Sequence, residues 1–168
     1  FVLPSIDEWY KAAYYDPNKP GGAGYWAYPT MSDSPPVAEA PPGGTEPPGS
    51  ANFKSILGSI HLTDVGAYFD SPGPYGTFDQ GGLLYQWSDT LLTTSYSGFG
   101  APISSWSSSK DTQLRADNTI WPWSPINQYS FMGFRVAEVP EPGTLGLIAG
   151  AMLAMIAVGA GRKMRRPR

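Results

Sequence analysis

YGTFDQGGLLYQW, residues 75–87, is the densest aromatic and glycine-rich stretch of the chain and the one most informative about its fold. In it large side chains alternate with tiny ones, which predicts a backbone that folds tightly against its own aromatic rings. The whole chain carries 20 Gly, 18 Pro and 14% aromatic residues. We therefore expect short strands and loops around aromatic anchors, and not a helical bundle.

The clearest helix signal in the body of the chain lies near its start. Ser5 is placed to cap a helix, and Glu8, three residues later, is placed to reach back to it, which is the capping-box pattern. We predict a helix over residues 6–15 that ends at the turn-forming segment 16–22. Three apolar side chains share one face of this helix and should be buried: Ile6, Trp9 and Ala13.

Residues 29–50 interrupt the ordered part of the chain. They contain seven Pro and three Gly with little to bury, which predicts a Pro/Gly-rich surface loop or linker. After this loop we expect a strand at 63–68. Buried contacts in that region should come from Ile56, Leu57, Ile60, Leu62 and Val65.

A final strand is predicted within residues 129–137. Alternation along a strand places Phe134 and Val136 on one face and Arg135 on the other. Four aromatic side chains should anchor this fold: Trp9, Tyr75, Trp87 and Phe134.

Charge and cysteine content exclude several functions. The chain has 11 basic and 14 acidic residues, and five basic ones follow Gly161, so residues 1–161 carry 6 basic and 14 acidic residues, a net charge of −8. Such a body lacks the basic face that nucleic acids require. There is no cysteine, which excludes disulfides, thiolate metal sites and cysteine nucleophiles.

The last thirty residues fall into three parts with different physical roles. Residues 139–144 (VPEPGT) form a rigid polar hinge, and residues 145–160 are uncharged. From Gly143 to Gly161, 19 uncharged residues span about 28 Å as a helix, close to the roughly 30 Å of bilayer hydrocarbon. The basic end consists of Arg162, Lys163, Arg165, Arg166 and Arg168. We predict one C-terminal transmembrane helix over 145–160, with the basic end in the cytoplasm and residues 1–138 outside.

The order of these parts resembles the PEP-CTERM sorting signal over residues 138–168, with the motif at Val139, Pro140, Glu141, Pro142 and Gly143. The resemblance implies a Gram-negative bacterium, with exosortase and the export machinery as partners. It implies an inner-membrane precursor, then the cell surface or extracellular matrix after removal of the tail. An ordinary single-span anchor is the alternative interpretation. Because the chain starts at Phe1 without a signal peptide, we expect it to be the C-terminal portion of a longer precursor.

Three separate segments resemble the formylglycine-generating enzyme, or sulfatase-modifying factor, domain. They are residues 3–13 (LPSIDEWYKAA), 65–87 (VGAY, then YGTFDQGG to the tryptophan) and 133–137 (GFRVA). Their order and spacing agree with that family over residues 1–137. The resemblance implies the C-terminal part of an irregular, loop-rich α+β fold related to C-type lectins.

Departures from that family bear directly on function. Its copper-dependent oxidation of a sulfatase cysteine needs paired cysteines, which this chain lacks. Where the family places Asn and Glu as calcium ligands, this chain has Leu83 and Gln86. Asn52, the carbonyl group of Phe53 and Asp64 match part of another calcium site. Calcium is therefore the one candidate cofactor.

Two catalytic arrangements are available in principle, and we predict neither. His61 with one of Ser104 to Ser109 would make a serine triad, but nothing places those serines on a nucleophile elbow. Paired aspartates would suit glycoside hydrolysis, yet isolated aspartates in turns usually cap the turn. The aspartates concerned are Asp64, Asp70, Asp79 and Asp89.

Trp121 and Trp123 flank a proline in an extended segment. Flat aromatic rings held this way suit stacking on sugar faces, although both rings filling an irregular core is the other interpretation. The sequence therefore predicts a non-catalytic exported module that binds a polysaccharide or a surface protein. The alternatives are an oxidoreductase or other enzyme whose catalytic residues lie in a preceding N-terminal half, and a purely structural matrix protein.

Overall fold

The computed structural model describes residues 1–58, 62–93, 97–101, 104–118 and 120–138. Within them, Leu3–Ala137 form one compact unit that contains the secondary structure of the described chain. This structure comprises one α-helix, one short 3-10 helix at Asp111–Leu114 and nine short strands. The mixture of helix and strand in the described residues confirms the predicted α+β class.

The strands of the described residues form four small sheets of two or three strands each. β1 (Tyr15–Asp16) pairs antiparallel with β2 (Gly24–Tyr25), and β3 (Val37–Ala38) pairs parallel with β4 (Ser50–Ala51). β5 (Tyr85–Trp87) lies parallel to β9 (Met132–Phe134). β6 (Leu91–Thr93), β7 (Ser97–Ala101) and β8 (Trp121–Trp123) form an antiparallel sheet with β7 in the middle.

The α-helix, α1, spans Ile6–Tyr14 and carries the predicted capping box. The N–H of Glu8 donates to Ser5 Oγ at 3.2 Å, and the N–H of Ser5 donates to Glu8 Oε2 at 2.8 Å. The helix stops one residue before the predicted end because the next two residues pair in β1. Its buried side chains are Ile6, Trp9, Ala13 and Tyr14, so the predicted apolar face is confirmed.

The core forms where α1 meets residues from much later in the chain. Tyr14 is fully buried, and its hydroxyl group donates to the carbonyl oxygen of Leu114 at 3.0 Å. The rings of Trp9 and Tyr14 meet edge to face with centroids 6.2 Å apart. Each large apolar side chain buried here contributes roughly 1.5–3 kcal/mol. The core cluster consists of Trp9, Ala13, Tyr14, Tyr28, Ala51, Phe53 and Leu114.

Residues 75–87 fold through tight turns, but the close approach to their backbone comes from Asn52, and not from the segment's own aromatic rings as the sequence predicted. Gly76 and Gly82 have φ of +70° and +79°, and Leu83 has φ of +53°. A Cβ on Gly82 would lie 2.3 Å from the carbonyl oxygen of Asn52. The N–H of Leu83 donates to that same oxygen at 2.9 Å. Glycine at position 82 therefore allows the bond that joins this segment to the core.

Residues 63–68 contain a turn at 65–66 and no strand, so the predicted strand was wrong. Gly66, at φ +76°, donates its N–H to Asp79 Oδ2 at 2.6 Å, and this reversal prevents side chains from alternating between a core face and a solvent face. Val65 is 91% exposed and Leu62 is also exposed, so the prediction that they are buried was wrong. The other contacts predicted here are Ile56 and Leu57, which are half-buried, and Ile60, which lies outside the described residues.

Residues 29–50 contain little regular structure but are held by specific bonds. The carbonyl oxygen of Glu39 accepts the hydroxyl group of Tyr68 at 2.7 Å, and its carboxylate accepts the N–H of Gly44 at 2.8 Å. Burial raises the pKa of Tyr68 to about 12, so this hydroxyl group remains a donor further into the alkaline range than an exposed tyrosine would. A second bond to the body runs from the N–H of Ser50 to Ser71 Oγ at 2.8 Å.

Side chains in the closing segment around β9 alternate between two faces as predicted. However, the face that carries Phe134, an expected anchor, is the exposed one. Phe134 and Val136 are both exposed, whereas Arg135 points into the body. The Arg135 guanidinium donates to Gln86 Oε1 at 2.6 Å and also to the carbonyl oxygen of Phe78. These bonds decide which face of the segment meets the body.

Two of the four predicted aromatic anchors are not anchors. Phe134 is 69% exposed and Tyr75 is 50% exposed, so neither stabilises the core by burial. Trp9 is buried in the core cluster as predicted, and Trp87 is half-buried in β5.

Gly82→Ala should lower the free energy of unfolding by about 2–4 kcal/mol, because the new Cβ meets backbone atoms that cannot move independently. Gly76→Ala is the matched control, since it has a similar φ but nothing within 4 Å of the added Cβ, and it should cost only about 1–2 kcal/mol. Urea unfolding of the full chain in detergent, followed by tryptophan fluorescence, measures both. Equal losses would contradict the close approach to Asn52.

Candidate functional site

The candidate calcium residues have different environments. Asn52 and Phe53 are fully buried, and the carbonyl oxygen of Asn52 is used by the N–H of Leu83. Asp64 is exposed, and its carbonyl oxygen accepts the N–H of Ala67 at 3.1 Å. Within the described ranges no three His, Cys, Asp or Glu side chains converge in a way that would hold a metal ion. The calcium site stays a prediction.

Gln86 connects three parts of the chain that are far apart in sequence. It is buried, and its Oε1 accepts Trp9 Nε1 at 2.7 Å and Arg135 Nε at 2.6 Å. Its Nε2 donates to the carbonyl oxygen of Asp79 at 3.1 Å. A carboxylate has only acceptors, so a glutamate here would leave the Asp79 carbonyl unmatched. Gln86 therefore has a structural role in this chain.

Asp79 and Arg135 are partly enclosed on either side of Gln86. Burial raises the pKa of Asp79, while the N–H of Gly66 and the charge of Arg135 act in the opposite direction. Burial likewise lowers the pKa of Arg135, against the influence of Asp79. Both groups are committed to bonds that shape the fold.

Two of the serines considered for a triad already accept backbone N–H groups. Ser104 Oγ accepts the N–H of Gly82 at 3.0 Å, and Ser108 Oγ accepts the N–H of Ser105 at 3.1 Å. His61, the required base, lies outside the described residues. Asp79 also accepts a backbone N–H, from Gly66, which lies thirteen residues earlier in the chain.

Five aromatic rings gather on one side of the body and define the aromatic cluster: Tyr85, Trp87, Trp123, Tyr129 and Phe131. Trp123 is central, with ring centroids 5.0 Å from Tyr129, 5.4 Å from Phe131 and 5.7 Å from Tyr85. Every member is partly exposed. Such offset and edge-to-face pairs contribute about 0.5–1.5 kcal/mol each beyond burial, so the rings are held in place.

Strand pairing brings these rings together. Residues 85 and 87 lie on the same side of β5, and the N–H of Tyr85 donates to the carbonyl oxygen of Phe131 at 2.9 Å. Gly98 of β7 brings β8 close, since a Cβ there would lie 2.5 Å from the carbonyl oxygen of Trp123. The cluster thus depends on both the β5–β9 and the β7–β8 pairing.

Of the two tryptophans predicted to stack on sugars, the structure places Trp123 in the aromatic cluster. Its Nε1 is buried with no hydrogen-bond partner in the described part of the chain, so the exposed part of the indole is ring surface. Trp121 is described only through its backbone, which pairs with Ala101 in β8. Sequence reasoning missed Tyr85, Tyr129 and Phe131. The signal for all of them was the spacing of aromatic residues two positions apart, as in 85/87 and 129/131.

Residues 138–166 match the PEP-CTERM protein-sorting motif. No curated protein matches the chain. The motif implies a membrane-anchored precursor that exosortase sorts for export to the cell surface. The motif residues, the predicted helix over 145–160 and the basic end lie outside the described residues. Among the helices that are described, none has the length and apolar character needed to cross a bilayer.

Gln86→Ala should lower the free energy of unfolding by about 2–4 kcal/mol, because Trp9 Nε1 and the Asp79 carbonyl lose their partner and Arg135 loses one. Gln128→Ala, at an exposed position, is the control and should change stability by less than about 0.5 kcal/mol. Chemical unfolding of the full chain measures both. A near-neutral Gln86→Ala would show that Gln86 does not join these segments.

Proposed function

We propose that this chain is an exosortase-sorted protein of the cell surface or extracellular matrix whose body is a non-catalytic module that binds a glycan. The partly exposed aromatic cluster is the observation that carries this proposal. Ring surface held rigid by neighbouring rings offers a flat apolar platform without the entropy cost of ordering a flexible side chain. Sugar rings present a complementary flat face of C–H groups.

The chemistry of the body favours binding over catalysis. Asp79, Ser104 and Ser108 each already accept a backbone N–H. The chain has no cysteine, so the copper-dependent oxidation typical of formylglycine-generating enzymes has no ligands here. An enzyme with catalytic groups in a preceding segment and a purely structural matrix protein are the competing proposals.

The resemblance to the sulfatase-modifying-factor domain is part of the same proposal. Its three matching segments meet at one point, because Trp9 of the first segment and Arg135 of the last both bond to Gln86 of the middle one. A common origin with that family would account for the matching segments and for their contact in the fold. The C-type-lectin-like fold that the resemblance implies belongs to this proposal too.

Replacing Pro140 and Pro142 by Ala in the full precursor should block sorting, because these prolines belong to the motif that exosortase recognises. The variant should accumulate in the inner-membrane fraction with its C-terminal tail intact. Cell fractionation with intact-mass measurement checks this. Pro17→Ala with Pro20→Ala, in the exposed turn after α1, is the control. Wild-type export and processing of the motif variant would contradict exosortase sorting.

Trp123→Ala should weaken glycan binding about tenfold or more, because the central stacking surface of the aromatic cluster is removed. A glycan array with the full chain, followed by titration of the strongest glycan, measures the change. Trp26→Ala is the control, since Trp26 is partly exposed but outside the cluster and bonds to Asp16. Near-ultraviolet circular dichroism checks that both variants remain folded.

The array should be repeated with a calcium chelator. Stacking on the aromatic cluster needs no metal, so the signal should persist. Loss of the signal on chelation would instead favour a calcium-dependent site at Asn52, Phe53 and Asp64. No signal on any glycan would favour the structural role.

A further inference from the structure

A groove of about 390 Å³ lies next to the aromatic cluster and shares Trp87 with it; we call it the Trp87 groove. Its volume falls within the roughly 300–1,000 Å³ typical of small-ligand sites. Four side chains form its apolar part: Leu3, Trp87, Phe99 and Pro125. Asp89 and Asn127 provide polar groups on the same groove. The groove therefore combines an aromatic surface with hydrogen-bonding groups.

The backbone that carries Asp89 is fixed from two sides. The N–H of Asp89 donates to the carbonyl oxygen of Pro4 at 3.1 Å. The preceding residue, Ser88, is buried, and both its N–H and its hydroxyl group donate to the carbonyl oxygen of Gly100, at 3.1 and 2.8 Å. The carboxylate of Asp89 therefore extends from a backbone segment that is bonded to Pro4, just before α1, and to Gly100 in β7.

Both polar groups retain hydrogen-bonding capacity. In the described part of the chain no cation pairs with Asp89, and only the hydroxyl group of Thr90 reaches its carboxylate, at 3.4 Å. Asn127 donates through Nδ2 to the hydroxyl oxygen of Tyr129 at 3.1 Å, which links the groove to the aromatic cluster. Its Oδ1 accepts no bond from the described residues. Free acceptors on a rigid frame suit a ligand rich in hydroxyl donors.

The net charge of the body favours a neutral sugar over an anionic one as the ligand of the groove. Residues 3–137 contain six basic and twelve acidic side chains, a net of −6. An anionic sugar would place its carboxylate near Asp89 in an already negative field, which is unfavourable. A neutral sugar meets no such repulsion, and its hydroxyl groups match the acceptors.

We infer that the Trp87 groove is a subsite for a neutral hexose unit, with Trp87 stacking on the C–H face of the sugar and Asp89 and Asn127 accepting bonds from its hydroxyl groups. This inference rests on the proposed glycan-binding function and names its ligand class. The adjoining aromatic cluster then contacts the neighbouring sugar of the same chain.

Titration of the full chain with three probes tests the subsite: a neutral glucose tetramer, a glucuronate-containing tetramer and a glucosamine tetramer. Wild type should bind the neutral tetramer at least about tenfold more tightly than the glucuronate one. Asp89→Asn should weaken binding of the neutral tetramer about tenfold, because a charge-assisted bond is lost. It should also reduce the ratio between the affinities for the neutral and the glucuronate-containing tetramers. Asp70→Asn is the control and should change neither value.

The outcomes separate the subsite from the proposed function. Loss of neutral binding in Trp123→Ala, together with unchanged binding in Trp87→Phe and Asp89→Asn, would overturn the subsite and leave glycan binding standing. Preference for the glucosamine or glucuronate tetramer would also overturn it. Absence of binding to any of the three probes by folded wild type would overturn the subsite and count against glycan binding. Weakened neutral binding in both Trp87→Phe and Asp89→Asn supports the subsite.

Discussion

The body of this protein depends on the buried amide of Gln86. One side chain satisfies the indole N–H of Trp9 and the guanidinium of Arg135 with its oxygen, and the carbonyl of Asp79 with its nitrogen. The first helix, the turn-rich middle and the closing strand are thereby held together with few long elements. In a fold made of two- to five-residue strands, such side-chain bonds replace the extended ladders that stabilise larger sheets.

The parts of the fold that follow from local chemistry were predictable from sequence. The capping box of Ser5 and Glu8 specifies a helix start within four residues, and the glycines of residues 75–87 indicate a tightly folded backbone. The strand at 63–68 was mispredicted because Gly66 turns the chain toward Asp79, a partner thirteen residues later. Which face of the closing strand is buried also depends on a distant residue, since Arg135 reaches back to Gln86.

The candidate site was predictable only in part, for a related reason. The sequence singles out Trp121 and Trp123, but the rings that contact Trp123 come from β5 and from the segment before β9. Registers such as Tyr85 opposite Met132 are set by long-range pairing that one sequence does not reveal. The sorting motif at 138–166 was predictable because it is read as a contiguous string, independent of tertiary contacts.

The parallel pairing of β5 with β9 has a consequence for the order in which the fold is completed. Parallel neighbours need a long intervening connection, and here β9 ends at Phe134, four residues before the matched motif begins. Because Arg135 directly follows β9, its bonds to Gln86 and Phe78 can form only when nearly the whole body is present. Tyr129 and Phe131 likewise join the aromatic cluster from the end of the body. Closure of this fold therefore depends on the residues that lie immediately before the sorting segment.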